Sequence, residues 1–520
     1  MGVDPGFLTG TAGKAFLPRD HNTRRSSLSR LPASGMIRHR SVPRMDANRM
    51  PQRSKLTWAS LYTEVELYKS AVRLYTKPLF NPVKARSTSS DEKTLFDFAK
   101  RGLHNLHHIH RALSAQTFAF RPGRAHHRNF NGKLRTLYIY PWEERLVSLL
   151  LYRALNRRLD SQLSTSCYAY RWKGYGVDRC QQAIAQTLRR IPKPFHVMKR
   201  DISNFFPSID HTLLIDRLRS LVEPDDYLFQ LLSQCVRFRY HDQGVARTAD
   251  RGVPFGTASA CLLANLYLLD LDRRLEAIPG ITFFRYADDL LVLSSGEEGL
   301  CAARRVFADE MTALKLTSNQ KHETESLLGR AKVTGNSIAG GFRHLGLQFR
   351  EDGSIGLSRD KFRKIRNLFR FAFRRRERKF RLRQSPRSRA QLAIQIAQQV
   401  LSQGIRNVAI IDYYLRHVTD EQQLRQLDRW LAEEVLSRAF QGGHKKSYFK
   451  KMPYAKLRKM GLPSLVHRRR LIRHGHIEST FFVWKSHQSK PRYGARAARP
   501  QSREAAVFSQ SPEAVVKSTW

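Results

Sequence analysis

Two aspartates stand side by side in Phe284-Arg285-Tyr286-Ala287-Asp288-Asp289-Leu290-Leu291-Val292-Leu293. The apolar residues around them read as two β-strands, which puts the pair at the tip of a hairpin. Adjacent carboxylates repel and cost stability. A fold keeps them where a divalent cation neutralises them, and hard oxygen ligands suit magnesium. A third carboxylate, Asp201, closes the alternating run from Phe195 to Ile202, in which Val197, Lys199 and Asp201 share a face. Three such acids suggest a two-metal site for nucleotidyl transfer, with the backbone carbonyl of Ile202 as a further ligand. The plainer reading of Asp201 is a capping aspartate. Asp210 fits that plainer role better, since the first turn of a helix favours an acid.

The elements that must position these acids are legible around them. Asn129-Phe130-Asn131-Gly132 signals a turn into the alternating strand Lys133 to Tyr140. A long helix follows from Glu143 to Leu159. After Asp201, Pro207-Ser208 opens a helix with Ser208 as N-cap and Leu214, Leu218 and Leu221 as its buried stripe. Arg251-Gly252-Val253-Pro254-Phe255-Gly256-Thr257-Ala258-Ser259 is a glycine-rich loop. Its glycines, with small residues such as Ser259 at the start of the next helix, let backbone approach a base pair closely. That helix is lined by Leu262, Leu263, Leu266, Tyr267 and Leu271 and carries Asn265. An earlier helix is expected from Trp58 to Tyr75.

The chain has 520 residues, 92 basic against 44 acidic, for a net charge of +48. An excess of this size predicts a polyanionic partner, because neutralising phosphates releases counterions. No run approaches the roughly 20 apolar residues that span a bilayer, so no membrane partner is expected, and no signal peptide is read. Five scattered cysteines, with no CxxC pair, indicate neither a disulfide framework nor a zinc site and suit a reducing cytosol. Residues 1–54 read as a disordered basic segment, or as an artefact of start-codon choice given Met36, Met45 and Met50. Residues 488–520 read as a disordered tail.

The three blocks in order resemble the palm of a reverse transcriptase: Asp201-Ile202-Ser203-Asn204-Phe205-Phe206, the Gly-x-Pro-x-Gly loop with its Leu-Ala-Asn-Leu-Tyr-Leu helix, and Phe-Arg-Tyr-Ala-Asp-Asp. Lys133 to Pro141 resembles the opening fingers motif, and Ser166-Cys167-Tyr168-Ala169-Tyr170-Arg171 an S-Y-x-x-R segment. Lys321 stands where a palm lysine is expected, and His344-Leu345-Gly346-Leu347 resembles the primer-grip turn. The resemblance runs from about residue 117 to 349 and is nearest to the bacterial branch: group II intron, retron, diversity-generating and defence-associated enzymes. It implies an α+β, right-hand polymerase fold with an antiparallel palm sheet, followed by an all-helical basic region. The implied domains are fingers with N-terminal helices at 55–194, catalytic palm at 195–356, and a helical thumb and RNA-binding region at 357–487.

The resemblance also lends roles. Asp201 and Asp288 would hold two magnesium ions, with Asp289 a weaker ligand. Phe206 would stack under the sugar and exclude a 2′-hydroxyl; its plainer reading is palm core. Lys133, Arg135 and Arg171 would clamp the triphosphate, or be solvated strand charge. Lys321 would protonate pyrophosphate, or be a surface lysine. Phe255, Gly256, Ser259 and Asn265 would lie against the nucleotide and its template base. Phe255 departs from the glutamine common in group II and retron enzymes, which leaves template fidelity open, and Glu143-Glu144-Arg145 replaces a common Asp-Arg pair.

Beyond the palm, Arg359 to Arg383 holds thirteen Lys/Arg against Asp360 and Glu377, with Phe362, Ile365, Phe369 and Phe373 as an apolar stripe. That suits a thumb helix on an RNA–DNA duplex. Leu427-Asp428-Arg429-Trp430 and Gly461-Leu462-Pro463-Ser464-Leu465 suggest a second helical unit able to hold a structured non-coding RNA. Its aromatics (Tyr413, Tyr414, Trp430, Tyr448, Phe449, Tyr454) read as core first. The expected function is an RNA-directed DNA polymerase using dNTPs, with antiviral defence as the context by analogy. The alternatives are template-independent nucleotide addition and an RNA-binding, maturase-like scaffold.

Overall fold

The structure is a computed structural model that describes residues 54–79, 85–130, 133–171, 174–329, 340–402 and 406–476. The N-terminal segment up to residue 53 and the tail expected at 488–520 lie outside the described residues. The chain divides into two compact units, one of Met1–Lys364 with His417–Gln423, the other of Ile365–Arg416 with Leu424–Trp520. The boundary between the units lies inside the helix Arg359–Arg374.

In the first unit, β1 (Gly123–Phe130) and β2 (Lys133–Ile139) form an antiparallel hairpin. The Trp142–Leu159 helix follows. It is buried on most sides, with Trp142, Leu146, Val147, Leu150, Leu151 and Leu155 at 0–1% exposure and the polar Glu144, Ser148 and Asn156 buried among them, so it lies in the core rather than on a surface. After a further helix, Val177–Arg190, come β3 (Phe195–Asp201) and a short helix Phe205–Ser208. The helix after it runs His211–Leu221 and is capped by Asp210, whose side chain accepts from the Leu213 N–H at 3.1 Å. This corrects the expected Ser208 cap. Pro207 sits inside a separate single turn, and the chain straightens at Ile209 before the acid caps the real helix. β4 (Arg239–Asp242) and β5 (Val245–Thr248) extend the first sheet to the order β2-β1-β4-β5. The predicted helix at Trp58–Tyr75 is broken at Tyr62 into Trp58–Leu61 and Glu64–Leu79.

The sheet that carries the acids is completed by β6 (Ile281–Tyr286), β7 (Asp289–Ser294) and β8 (Thr324–Leu328), in the order β6-β7-β3-β8 and antiparallel throughout. The fold is thus mixed α and β with an antiparallel central sheet. Leu291, Val292 and Leu293 of β7 are completely buried. Each contributes on the order of 1.5–3 kcal/mol by leaving water. Helices Val177–Arg190 and Glu297–Ala313 pack against this sheet. A small sheet of β9 (Gly341–His344), β10 (Leu347–Arg350) and β11 (Ile355–Leu357) follows.

The second unit is helical in its described residues. Helices Pro386–Val400 and Leu465–Arg473 lie within it, as do most of Arg406–His417 and Glu421–Phe440. On the basic helix Arg359–Arg374, Ile365, Phe369 and Phe373 are buried, and Trp430 receives the Phe369 ring edge-on at 6.3 Å. The two segments singled out in this region meet at one side chain. Asp428 accepts from the Ser464 hydroxyl at 2.5 Å and from the Leu465 N–H at 2.6 Å.

Candidate active site

The last pair of the β6–β7 hairpin is Tyr286 with Asp289, so Ala287 and Asp288 form its two-residue loop. Ala287 has a left-handed φ of 59°. A tight hairpin demands such a residue, and glycine or asparagine usually supplies it. On the neighbouring strand, Asp201 is the direct partner of Asp289. Directly paired antiparallel residues stand about 4.5–5.5 Å apart at Cα. The Ile202 N–H donates to the Asp288 carbonyl at 3.3 Å, which ties the end of β3 to the turn. Acids 87 positions apart in sequence (201 and 288) are thus brought to the adjoining ends of two central strands of one sheet.

The three carboxylates are not equivalent. Burial, then the charge of Asp201, push Asp288 up to about 6, and the positive charge of Arg135 opposes this. Asp288 is therefore an anion short of compensating positive charge. Burial pushes Asp289 up as well, but His344, Lys199 and His322 together outweigh it, and the group stays below the usual aspartate range. His344 Nδ1 lies 3.3 Å from Asp289 Oδ1, on a side chain with no solvent exposure. Asp201 Oδ2 accepts from the Asn319 amide at 2.9 Å, and its backbone carbonyl accepts from Asn319 N–H at 2.7 Å. Among the described residues, no three His, Cys, Asp or Glu side chains close around an ion by themselves. The donor chemistry still fits magnesium, because a half-buried carboxylate pair at a strand end lacks a cation and offers only oxygen. Substrate phosphate oxygens would have to complete the shell.

The glycine-rich loop is stitched to two neighbours. Gly252 N–H donates to the Ile209 carbonyl at 2.7 Å, and Val253 N–H to the Phe206 carbonyl at 3.0 Å. A Cβ on Gly252, which has φ +81°, would lie 2.9 Å from the Pro207 Cα. On the other side, the Phe255 carbonyl accepts from the Tyr138 N–H of β2 at 2.9 Å, and a Cβ on Gly256 would stand 3.2 Å from the Tyr138 carbonyl. The loop therefore joins the strand-end segment after Asp201 to β2. Phe206, 9% exposed, meets Phe255 edge-on at 5.2 Å and Tyr170 at 6.1 Å.

The remaining expected site residues separate into two groups. Arg135 is exposed on β2 and its charge reaches Asp288. Lys321 is exposed on the 3-10 turn Gln320–His322, two residues after Asn319. The side chain of Lys133 lies outside the described residues. Arg171 is not placed to clamp a triphosphate. Its side chain is 1% exposed, bonds Asp160 at 2.9 Å and the carbonyls of Ser164 and Cys167, and lies over the Tyr175 ring at 3.8 Å. Ser259 and Asn265 are likewise turned into the core. Ser259 shares a hydrogen bond with Ser148 at 2.9 Å, while the Asn265 amide donates to the Ala169 carbonyl at 2.8 Å. Sequence reasoning saw small and polar residues facing a substrate; here they satisfy buried backbone and one another. It also missed Asn319, His344, Lys199 and His322 around the acids. Only the alternation of β3 hinted at Lys199.

Residues 105–348 match the family described as Reverse transcriptase (RNA-dependent DNA polymerase), a stretch that contains all three aspartates. Protein YkfC of Escherichia coli (strain K12) is 23% identical over 216 residues, which cover 34% of this chain and 54% of that protein. The chain thus spans about half the length of that curated relative. Among solved structures, apo telomerase from Candida tropicalis, truncated from its C-terminal domain, aligns with a TM-score of 0.36 at 12% identity, over 52% of this chain and 63% of that one. Residues 105–348 are thus similar to the reverse transcriptase domain.

Proposed function

We propose that this chain is a magnesium-dependent polymerase that copies RNA into DNA from dNTPs. The observation that carries the reading is the convergence of Asp201, Asp288 and Asp289 at the adjoining ends of two central strands, with Asp288 held up by burial and by the charge of Asp201. Asp201 and Asp288 would hold two magnesium ions, with the Ile202 carbonyl beside them. Asp289 would contribute less, because His344 already draws its carboxylate. When bound, such ions activate a primer hydroxyl and steady the triphosphate and its leaving group. Arg135 supplies positive charge for the triphosphate, and Phe206 presents an aromatic wall for sugar selection. Lys321 would deliver a proton to departing pyrophosphate. The exposed cations of Arg374 to Arg383 suit the phosphates of an RNA–DNA duplex. Arg366 and Arg370 instead lie over Trp430, at 4.9 and 5.5 Å, and belong to the packing of their own unit. A bacterial cytoplasmic setting and a role in antiviral defence rest on the resemblance to bacterial enzymes.

The test is primer extension on an RNA template with labelled dNTPs and magnesium. Asp288→Ala is expected to lower synthesis by about a thousandfold or more, since each metal supplies several kcal/mol to the transition state. Binding of RNA, measured separately, should be largely kept. Retained synthesis would remove the metal assignment. Phe255, packed on Phe206 where a polar residue is common, favours one second reading: template-independent addition. Product formed without any RNA would support it.

A further inference from the structure

The second unit contains a cleft of about 550 Å3 lined by Arg425, Asp428, Arg429, Lys446, Phe449 and Tyr454. Arg425, Asp428 and Arg429 fall at i, i+3 and i+4 on the helix Glu421–Phe440 and so share a face. The Asp428 carboxylate is bound to Ser464 and Leu465, so it anchors the floor. Tyr454 is 39% exposed, unlike Trp430 and Tyr414, which are buried. Tyr448 is stacked on Phe440 at 4.7 Å, which leaves Phe449 and Tyr454 as the cleft's aromatic walls. From His444 to Lys459 the sequence has seven Lys/Arg (445, 446, 450, 451, 456, 458, 459) and no acid. Aromatic faces among cations are what an unpaired nucleotide needs, a ring for its base and positive charge for its phosphate. A paired base has no free face to offer.

We propose that this cleft seats an unpaired nucleotide of a nucleic-acid strand, its base on Tyr454 and Phe449 and its phosphate beside Arg425, Arg429 and Lys446. The seat is independent of the polymerase reading. The test uses the full chain with fluorescein-labelled U12 RNA, dT12 DNA and a 12-base-pair duplex. Strands carrying 4-thiouridine or 4-thiothymidine should cross-link to residues 446–454. Tyr454→Ala should weaken single-strand binding by about tenfold and duplex binding hardly at all, while Tyr454→Phe keeps the affinity. Loss confined to RNA would name RNA as the source, and equal loss for DNA a generic strand; both support the seat. An unchanged single-strand affinity, or an equal loss for the duplex, would overturn it, with a melting curve for each variant to exclude unfolding.

A separate observation lies beneath the hairpin. Arg285, 1% exposed, is gripped by the fully buried Asp272 through two bonds of 2.6 Å. Its Nη1 donates to the Ala287 carbonyl at 3.0 Å and to Asn265 at 3.3 Å. Its own backbone is fixed too, since Arg285 N–H donates to Ser166 and its carbonyl accepts from Tyr168, both at 2.8 Å. A left-handed alanine persists only where its surroundings over-determine it. The geometry points to Arg285 as a positioning residue whose guanidinium holds the strained Ala287 and so aims Asp288. This rests on the reading of Asp288 as a metal ligand, which Asp288→Ala tests alone. Arg285→Met combined with Asp272→Leu removes both buried charges together, so neither is left unpaired. Its kcat should fall by about a hundredfold with dNTP KM little changed. Adding Ala287→Gly, which removes the strain, should recover at least severalfold. A wild-type rate, or a loss that Ala287→Gly does not relieve, would overturn the role. Should the double variant not fold, Arg285→Lys carries the same comparison.

Discussion

At the scale of single residues, charge decides most of what Asp288 does. Its pKa is raised in the folded chain, to about 6 from an ordinary 3.8. A raised carboxyl favours the fold below the ordinary value, and that contribution is lost as pH climbs through about 6. The metal-free protein should therefore lose thermal stability from this group between about pH 4 and pH 6. Magnesium should raise the melting temperature more at pH 8 than at pH 5, and Asp288→Asn should flatten both trends. Melts across pH with and without magnesium check this; a magnesium shift independent of pH would contradict it. Phe206 acts by shape instead. Phe206→Ala should raise incorporation of rNTPs relative to dNTPs by about tenfold or more, as removing a wall of a sugar pocket lifts a steric penalty of one to a few kcal/mol. Phe255→Leu, which leaves Phe206 in place but without its edge-on neighbour, should give a smaller change in the same direction. An unchanged ratio in competition assays would return Phe206 to plain core.

Among elements, the glycine-rich loop is the part that must fit two partners at once. It holds the segment after Asp201 through Gly252 and Val253, and β2 through Phe255. Gly252→Ala places a methyl 2.9 Å from Pro207 Cα in a left-handed backbone. We expect it to cost about 1–3 kcal/mol of stability and to loosen Phe206. Denaturant melts and the rNTP/dNTP ratio measure the two effects, and a variant as stable as the parent would show the loop to be slack. The glycine spacing is legible in the residues themselves, because loops of this kind need positive φ. Which neighbours the loop touches is not, since both come from distant parts of the chain.

The whole molecule is dominated by its net charge of +48. Binding to a primed RNA template should weaken steeply with salt, with log K falling by roughly 0.7–0.9 per phosphate contacted for each unit of log salt. A nearly flat dependence in anisotropy titrations between 50 and 200 mM salt would argue against a polyanion as the main partner. The described helices include none long and apolar enough to cross a membrane. The three aspartates and the basic-aromatic cleft fall in different compact units of the chain.

The sequence alone determined the acids, the hairpin beneath them and the basic character of the chain. These follow from local alternation, adjacent like charges and composition, which neighbours in sequence carry without help. The same locality misled where a residue's partner is remote. Arg171, Ser259 and Asn265 look like substrate contacts by type, yet each satisfies buried backbone or side-chain groups from another segment. Only the tertiary structure could place Asp201 opposite Asp289, set His344 behind them and run the Arg285–Asp272 pair under the turn. Those arrangements depend on strand register and on burial, and neither is written in any single stretch of residues.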